Sequence, residues 1–494
     1  MPAGMLSVKR NSVAKRYSIL RLVALLAAGV LCAGCQGAQR EAREGRAGPE
    51  PAPGWGPNLV ICVIDAARAD HVGCCGYPRE TTPNIARLAE EGLVFRNHHC
   101  QYPATRMSTA CLFTSQFVDT HLMGGMWKQA EPSFTMPVGL KGAGFRTALF
   151  SSNILASPEV GVGCAFDEAY YGDELAPGGS SIHRRPEALL GKFEEWLVER
   201  SGSRFFAYLH FLPPHAPYVQ PDEMTELFAG DTPPGYRREK YGRGKWEFPA
   251  QHYVPKRDPP ALPGWINLYD ANLRWGDWAV GEVERLLREA GVFENTLFIV
   301  SADHGEAFGE HGYVWHSWGI YDDVTRIPLV MRLPGGSGEP RSFDALTQTI
   351  DLLPTVYDLF GISYPADEIQ GRSLVPLLEG STEHINDYTF IRSNQPPKYM
   401  VRGERYSLVL FENPEWRGLY DLRNDPEQRV NIVAEEPERA AELFAAFETY
   451  ARAQREPPYE FLGEGVETRP RAEREKIELT PQLERELRAL GYLD

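Results

Sequence analysis

Two segments constrain the fold of this chain more than any others. "NLVICVID" at residues 58–65 and "NTLFIVSADHGE" at 295–306 are unbroken apolar runs rich in β-branched residues, and each runs out into a carboxylate, Asp65 and Asp303. A strand with water on one face alternates apolar and polar residues. A strand without that alternation is buried on both faces, as in a parallel sheet covered by helices on either side. In such sheets ligands collect beyond the carboxyl ends of the strands, where both acids sit.

The intervening sequence fits the same architecture. "TPNIARLAEEGLVF" (82–95) has helical periodicity, with Thr82 as cap and Pro83 at the first helical position. "GFRTALFSSN" and "SRFFAYLHFL" read as strands, and "NLRWGDWAVGEVERLLREAG" (272–291) as a longer helix. Strands alternating with helices predict an α/β domain over residues 57–380, with a mostly parallel central sheet and helices on both faces. After residue 380 the pattern changes to short alternating stretches, "DYTFIRS", "KYMVRGERYSLVLF" and "RGLYDLRNDP". These predict a small C-terminal α+β subdomain with an antiparallel sheet over 381–494, closed by two helices, the second starting at Thr480-Pro481. The sequence contains no internal repeat.

The first residues are of another kind. Lys9, Arg10, Lys15, Arg16 and Arg21 precede the apolar run Leu22–Leu31, which ends in small residues and Cys35. That is the pattern of an export signal, and the run is short for a bilayer span. "LCAGC" resembles a bacterial lipoprotein processing site, with Cys32 where that pattern usually has leucine. The expectation is a signal at 1–35 with Cys35 lipidated, ordinary secretion being the alternative, and a flexible tether at 36–56 rich in Gly, Pro and Ala. The protein is then periplasmic or at the cell surface, anchored to the membrane by lipid. Losing the five leader cations takes the formal charge from −16 to −21, which argues against a nucleic-acid partner. All eight cysteines lie in the first third, so a disulfide is open in an exported chain, while Cys62 inside an apolar strand reads as core.

Asp303 and His304 leave their strand together, and Gly305 allows a sharp turn and a close approach. With Asp65, they offer two carboxylates and an imidazole, a set suited to one divalent cation: calcium, manganese, magnesium or zinc. Thr105, in "QYPATRMSTACLFTSQ", precedes a helix and has two readings. As an N-cap it would contribute about 1 kcal/mol. As a nucleophile it would draw on the helix N-terminus and on a metal that lowers its pKa. Local sequence alone favours the cap.

Seven stretches in order resemble successive blocks of the sulfatase family within the alkaline-phosphatase superfamily: "PNLVICVIDAARADHVGCCGYPRETTPNIARLAEEGLVF", "ATRMSTACLFTS", "HFLPPHAPYVQP", "NTLFIVSADHGEAFGEHG", "IYDDVTRIPLVMRLPG", "IDLLPTVYDLFG…GRSLVPLL" and "LYDLRNDPEQRVNI". The resemblance covers about residues 57–435 and implies the fold more firmly than the substrate. In the family's nucleophile block a Cys or Ser is followed by x-P-S-R and oxidised to formylglycine. Here Thr105 falls at the nucleophile, Met107 on the Pro, Ser108 on the Ser and Thr109 on the Arg. Thr105 cannot become formylglycine, because its Cβ bears a methyl and oxidation gives a ketone. The pattern resembles the branch with an unmodified Thr, which includes phosphodiesterases and phosphoglycerol or phosphoethanolamine transferases. A second departure agrees: the family pairs two acids after the first strand, and here Ala66 follows Asp65.

The resemblance implies a single-metal site of Asp65, Thr105, Asp303 and His304. It also implies that His215 in "PPHAPY" and His316 in "VWHSW" contact the substrate anion or protonate the leaving group, which suits their pKa range. A structural histidine is the alternative for each, and His210 stands open between the two roles. His311 reads as closing a turn, His71, His98 and His99 as surface or structural, Arg68 and Arg326 as structural salt bridges, and Asn153 as a strand-end residue near the pocket. A threonine ester must be attacked a second time, a path familiar for phosphoryl groups, so the implied reaction is cleavage of a phosphate or sulfate ester with the diester favoured. The substrate is then a sulfated or phosphorylated glycan, lipid or small molecule. A transferase of the phosphoglycerol or phosphoethanolamine type, or a homologue that only binds an anionic glycan, are the alternatives. The oligomeric state is open.

Overall fold

The computed structural model describes residues 56–121, 134–172, 185–200, 202–228, 262–311, 313–316, 318–394, 397–411, 417–456, 458 and 477–490. The expected export signal and nearly all of the tether lie outside these residues. The central sheet has eight strands: β1 (Asn58–Ile64), β2 (Leu93–Phe95), β3 (Arg146–Ser151), β4 (Glu168–Tyr171), β5 (Phe205–Phe211), β6 (Thr296–Ser301), β7 (Leu329–Arg332) and β8 (Arg341–Phe343). Their order is β8-β2-β7-β6-β1-β5-β3-β4. β1 lies in the middle and pairs in parallel with β5 and β6, while β7 is antiparallel to both of its neighbours.

Alternation along β1 explains why its sequence shows no polar positions. Val60, Cys62 and Ile64 join one cluster with Leu189 and Phe193 of α4 (Pro186–Arg200) and Leu273 and Val283 of α5 (Leu262–Glu289). Leu59, Ile61 and Val63 face the other way, toward Ala110 and Phe113 of α2 (Thr105–Thr114), Leu140 of α3 (Met136–Gly142) and Leu353 of α6 (Leu352–Phe360). Both faces are dry, and each such side chain contributes about 1.5–3 kcal/mol. The expected α/β architecture is present. Within it, the helix expected over 82–95 ends early: α1 is Pro83–Glu90, and "LVF" pairs as β2. Gly92 makes the switch, since a Cβ there would stand 2.7 Å from the Met331 carbonyl oxygen and 2.9 Å from that of Leu88.

The C-terminal part forms a four-stranded antiparallel sheet of β9 (Tyr388–Asn394), β10 (Pro397–Gly403), β11 (Tyr406–Phe411) and β12 (Arg417–Asp421). Val401, Leu408 and Leu419 from this sheet and Leu443 and Phe447 from α7 (Pro437–Ala453) enclose a core that also takes in Tyr102 and Cys111. The small sheet therefore braces α2, the helix that Thr105 opens. The last described helix, α8 (Pro481–Ala489), is capped by Thr480, whose hydroxyl accepts from the Leu483 N–H at 3.1 Å. None of the six described cysteines is in a disulfide. Among the described residues no helix is long and apolar enough to cross a membrane.

Candidate functional site

Parallel pairing brings three strand ends to one place. Val63 is in register with His210 and with Ser301, and Ser151 with His210, so Asp65, Asp303 and Asn153 follow from the same edge of the sheet. The chain turns just after Asp65 through Ala66, a left-handed residue (φ 62°). A non-glycine residue there costs about 1–2 kcal/mol, offset by the Ala66 N–H, which donates to Asp303 Oδ1 at 3.1 Å.

Each carboxylate has one satisfied oxygen and one bare one. Asp65 Oδ2 accepts from Asn153 Nδ2 at 2.6 Å and lies 3.1 Å from His210 Nε2. Asp303 Oδ1 accepts from the backbone N–H of Ala66 and, at 2.9 Å, of His304. Asp65 Oδ1 and Asp303 Oδ2 are buried and accept nothing. Burial pushes the Asp65 carboxyl upward, yet His215, His210 and His304 together hold it well below the ordinary carboxylate value. Two carboxylate oxygens left bare in a dry site are costly unless a cation neutralises them.

His304 supplies the next donor. Its Nδ1–H donates to the Gly305 carbonyl at 2.8 Å, which leaves Nε2 as the lone-pair nitrogen. That Nε2 stands 3.6 Å from Asp65 Oδ1, 3.4 Å from Asp303 Oδ2 and 3.3 Å from Thr105 Oγ1. Ala104 is the N-cap of α2 and Thr105 its first helical residue, so the Thr105 hydroxyl does not cap the helix and lies against His304 instead. Asn153 Nδ2 reaches it at 3.4 Å. Ser108, one turn further on, donates to the Asp303 carbonyl at 2.6 Å and ties α2 to the strand end. Two orphan carboxylate oxygens, a lone-pair imidazole and a hydroxyl converging in a buried space fit a divalent cation.

The remaining histidines divide. His215 and His316 gather around His304: the rings of His304 and His316 stack at 4.1 Å, and His215 lies 5.1 Å from His316. His215 Nδ1–H donates to the Ala216 carbonyl at 2.5 Å. His210 sits instead within the acid cluster, where the nearest donor atoms of Asp65, His210 and Asp303 all lie within 4.8 Å of one another. His311 stacks on Tyr321 at 3.7 Å. Arg68 pairs with Asp70 and Glu310 at 2.7 and 2.6 Å, as expected of a structural bridge. Arg326, expected in a salt bridge, donates through Nε to the Arg96 carbonyl at 3.0 Å.

The family model described as Sulfatase matches residues 57–362, more than half of the sequence. The chain belongs to the sulfatase family. A second model, N-sulphoglucosamine sulphohydrolase, C-terminal, matches residues 309–452 of this sulfatase-family hydrolase. An uncharacterized sulfatase of Escherichia coli, YidJ, is 27% identical to it, over 76% of this chain and 83% of the relative. N-acetylglucosamine-6-O-sulfatase of Bacteroides thetaiotaomicron is 24% identical, over 79% and 86%. The crystal structure of phosphonate monoester hydrolase from Agrobacterium radiobacter shares the fold, with a TM-score of 0.65 and 21% identity, over 80% of this chain and 95% of that one.

Sequence reasoning missed two side chains of this sulfatase-family site. Glu306 is buried, neither of its oxygens accepts a hydrogen bond, and Oε1 lies 3.5 Å from His316 Nδ1. Burial pushes its carboxyl up to about 7, against the charges of His215 and His304. Its position in "DHGE", two residues after His304, was the available signal. Tyr208, two residues before His210 on β5, places its hydroxyl 2.9 Å from His210 Nδ1. A two-residue spacing on a strand puts both on one face, which "YLH" already showed.

Proposed function

We propose that this sulfatase-family hydrolase is metal dependent and cleaves a phosphate or sulfate ester, with the phosphate diester favoured, using Thr105 as its nucleophile. The observation that carries the proposal is the Thr105 hydroxyl at the start of α2, 3.3 Å from His304 Nε2, the same nitrogen that lies 3.6 and 3.4 Å from the bare oxygens of Asp65 and Asp303. Asp65, Asp303, His304 and Thr105 hold the ion. When bound, a divalent cation lowers the pKa of a hydroxyl and offsets charge on the ester oxygens.

The chain's own residues account for the other steps. Thr105, its hydroxyl proton released to solvent before attack, bonds through Oγ1 to phosphorus as the bond to the leaving alkoxide breaks, and the alkoxide takes a proton from His316 or His215. The N-terminus of α2 favours the negative charge gathered at Thr105. Water then attacks the same phosphorus, the P–Oγ1 bond breaks, and the proton from water returns to the imidazole. Asn153 and Ser108 keep Asp65 and the α2 terminus in place throughout. A threonine ester cannot expel sulfate by forming an aldehyde, which is why the diester is favoured. Diesters and phosphonate monoesters carry the same single charge, so the fold shared with a phosphonate monoester hydrolase is consistent with this choice. The relative named for N-acetylglucosamine-6-O-sulfate supports a sulfated glycan as the second reading. The leader read in residues 1–35 adds an extracytoplasmic, lipid-anchored setting to the proposal.

Parallel assays with bis-nitrophenyl phosphate, nitrophenyl phosphate and nitrophenyl sulfate, with each divalent metal, test this reading beside Thr105→Ala. The expected result is fastest turnover of the diester and a loss of at least about a hundredfold in the variant. Equal rates for both proteins remove the covalent mechanism, and a sulfate preference selects the second reading.

A further inference from the structure

We infer that His210 is itself a ligand of the metal ion, a fifth donor beside Asp65, Asp303, His304 and Thr105, and that the resulting two-imidazole site selects zinc or manganese over calcium. The inference rests on the metal site proposed above and adds to it a residue and a preference.

The geometry is that of one coordination shell. His210 Nε2 stands 3.1 Å from Asp65 Oδ2 and 3.8 Å from Asp303 Oδ2, and His304 Nε2 stands 3.6 and 3.4 Å from the same two carboxylates. Donors held about 2.1 Å from one ion lie about 3.0 Å apart in an octahedral shell and about 3.4 Å apart in a tetrahedral one. The observed separations run from just above the octahedral edge to somewhat beyond the tetrahedral one; His210 is the nearer imidazole to Asp65 and His304 the nearer to Asp303. Two of the carboxylate oxygens between the rings, Asp65 Oδ1 and Asp303 Oδ2, have no other hydrogen-bond partner. His210 is fully buried on a central strand, so its ring position is set by the sheet. Its far nitrogen is also engaged: the Tyr208 hydroxyl, 2.9 Å from Nδ1, can accept the Nδ1 proton and leave Nε2 as the lone-pair nitrogen. An outer partner of that kind is what fixes the tautomer and orientation of metal-binding histidines.

The preference follows from the donor set. Calcium takes six to eight oxygen donors at about 2.3–2.6 Å and gains little from nitrogen. Two imidazoles with two carboxylates suit zinc, manganese and the neighbouring transition ions. The bland reading is that His210 only donates a hydrogen bond to Asp65, and it gives the ion a single imidazole.

Zinc K-edge X-ray absorption on the purified, zinc-loaded protein counts the imidazoles directly. Two are expected, and one overturns the inference. In His210→Gln the count should fall to one and zinc should bind more than about tenfold weaker, with calcium affinity unchanged. The wild-type count needs no variant, so it stands even if His210→Gln fails to fold. The outcomes also separate this inference from the proposed function. One imidazole with Thr105-dependent turnover sinks His210 as a ligand and leaves the reaction intact. Two imidazoles with a fully active Thr105→Ala keep His210 and remove the nucleophile. Failure to bind stoichiometric zinc overturns the inference outright.

Discussion

Asn153 shows how much one amide can decide. Its Oδ1 accepts from the Leu155 N–H at 2.9 Å, which anchors the side chain to its own turn and aims the NH2 group at Asp65 and Thr105. Replacing it with alanine frees Asp65 Oδ2 of its shortest hydrogen bond and leaves the Thr105 hydroxyl less constrained. Asn153→Ala should therefore lower kcat/KM about 10–100-fold with the fold intact, as loss of an outer partner does at metal sites. Asn153→Asp should be worse, because a second carboxylate faces Asp65 where a donor stood. Steady-state kinetics on the preferred nitrophenyl ester check both, and equal effects for Ala and Asp would sink the argument from charge. Gly305 is decided by space alone. A Cβ there runs into the Asp323 carbonyl oxygen and lies 3.1 Å from Val324 Cα, while the Gly305 N–H holds the Val324 carbonyl at 2.9 Å. Gly305→Ala should lose about 1–3 kcal/mol in urea unfolding, since the obstacle is backbone that cannot step aside.

At the scale of elements, the site depends on α2 being fastened to the end of β6. Ser108 makes that join from a buried position, and removing its hydroxyl leaves the Asp303 carbonyl without this donor. Ser108→Ala should cost about 1–3 kcal/mol of stability, read in urea unfolding, and lower kcat more than KM is raised, since it loosens Thr105 against the acids. A change in KM alone would place Ser108 in substrate binding instead. The elements also show what a sequence can disclose. β1 and β6 were legible because burial on both faces erases alternation, and their terminal acids marked the edge where a site forms. The end of α1 was not, because "GLVF" continues an apolar period whether the chain coils or extends; the contact of Gly92 with the distant Met331 carbonyl decides it. The role of the Thr105 hydroxyl was equally hidden. Capping depends on which residue takes the extended backbone before the first turn, and here Ala104 takes it, at φ −162° and ψ 142°. His210 could be placed at a strand end but not among the acids, since that requires the register of three strands.

Across the whole molecule, buried histidines set how the fold responds to acid. His98 lies in a short pairing with Ile327 and Thr347, fully buried, with Nδ1 3.0 Å from the Thr347 hydroxyl. Burial alone pushes its imidazole down to about 3, and burial likewise holds His121 at about 3. A folded-state pKa below the unfolded value of 6.5 means that the unfolded chain takes up a proton first as pH falls. Stability from each such histidine is thus complete above pH 6.5 and is lost progressively toward about pH 3. Asp277 and Asp351 act in the opposite direction: burial raises their carboxyls to about 6 and about 7, so the folded state takes up their protons first and gains as pH falls. The total slope mixes these signs, and a variant isolates one of them. His98→Leu removes a single titration, while its lost hydrogen bond shifts stability equally at every pH. Between pH 7 and pH 5, wild type should lose about 2 kcal/mol more than His98→Leu, from about 1.4 kcal/mol per pH unit below the unfolded pKa. Urea unfolding of both proteins at the two pH values measures the difference, and parallel losses would mean that the folded protein protonates His98 as readily as the unfolded chain does.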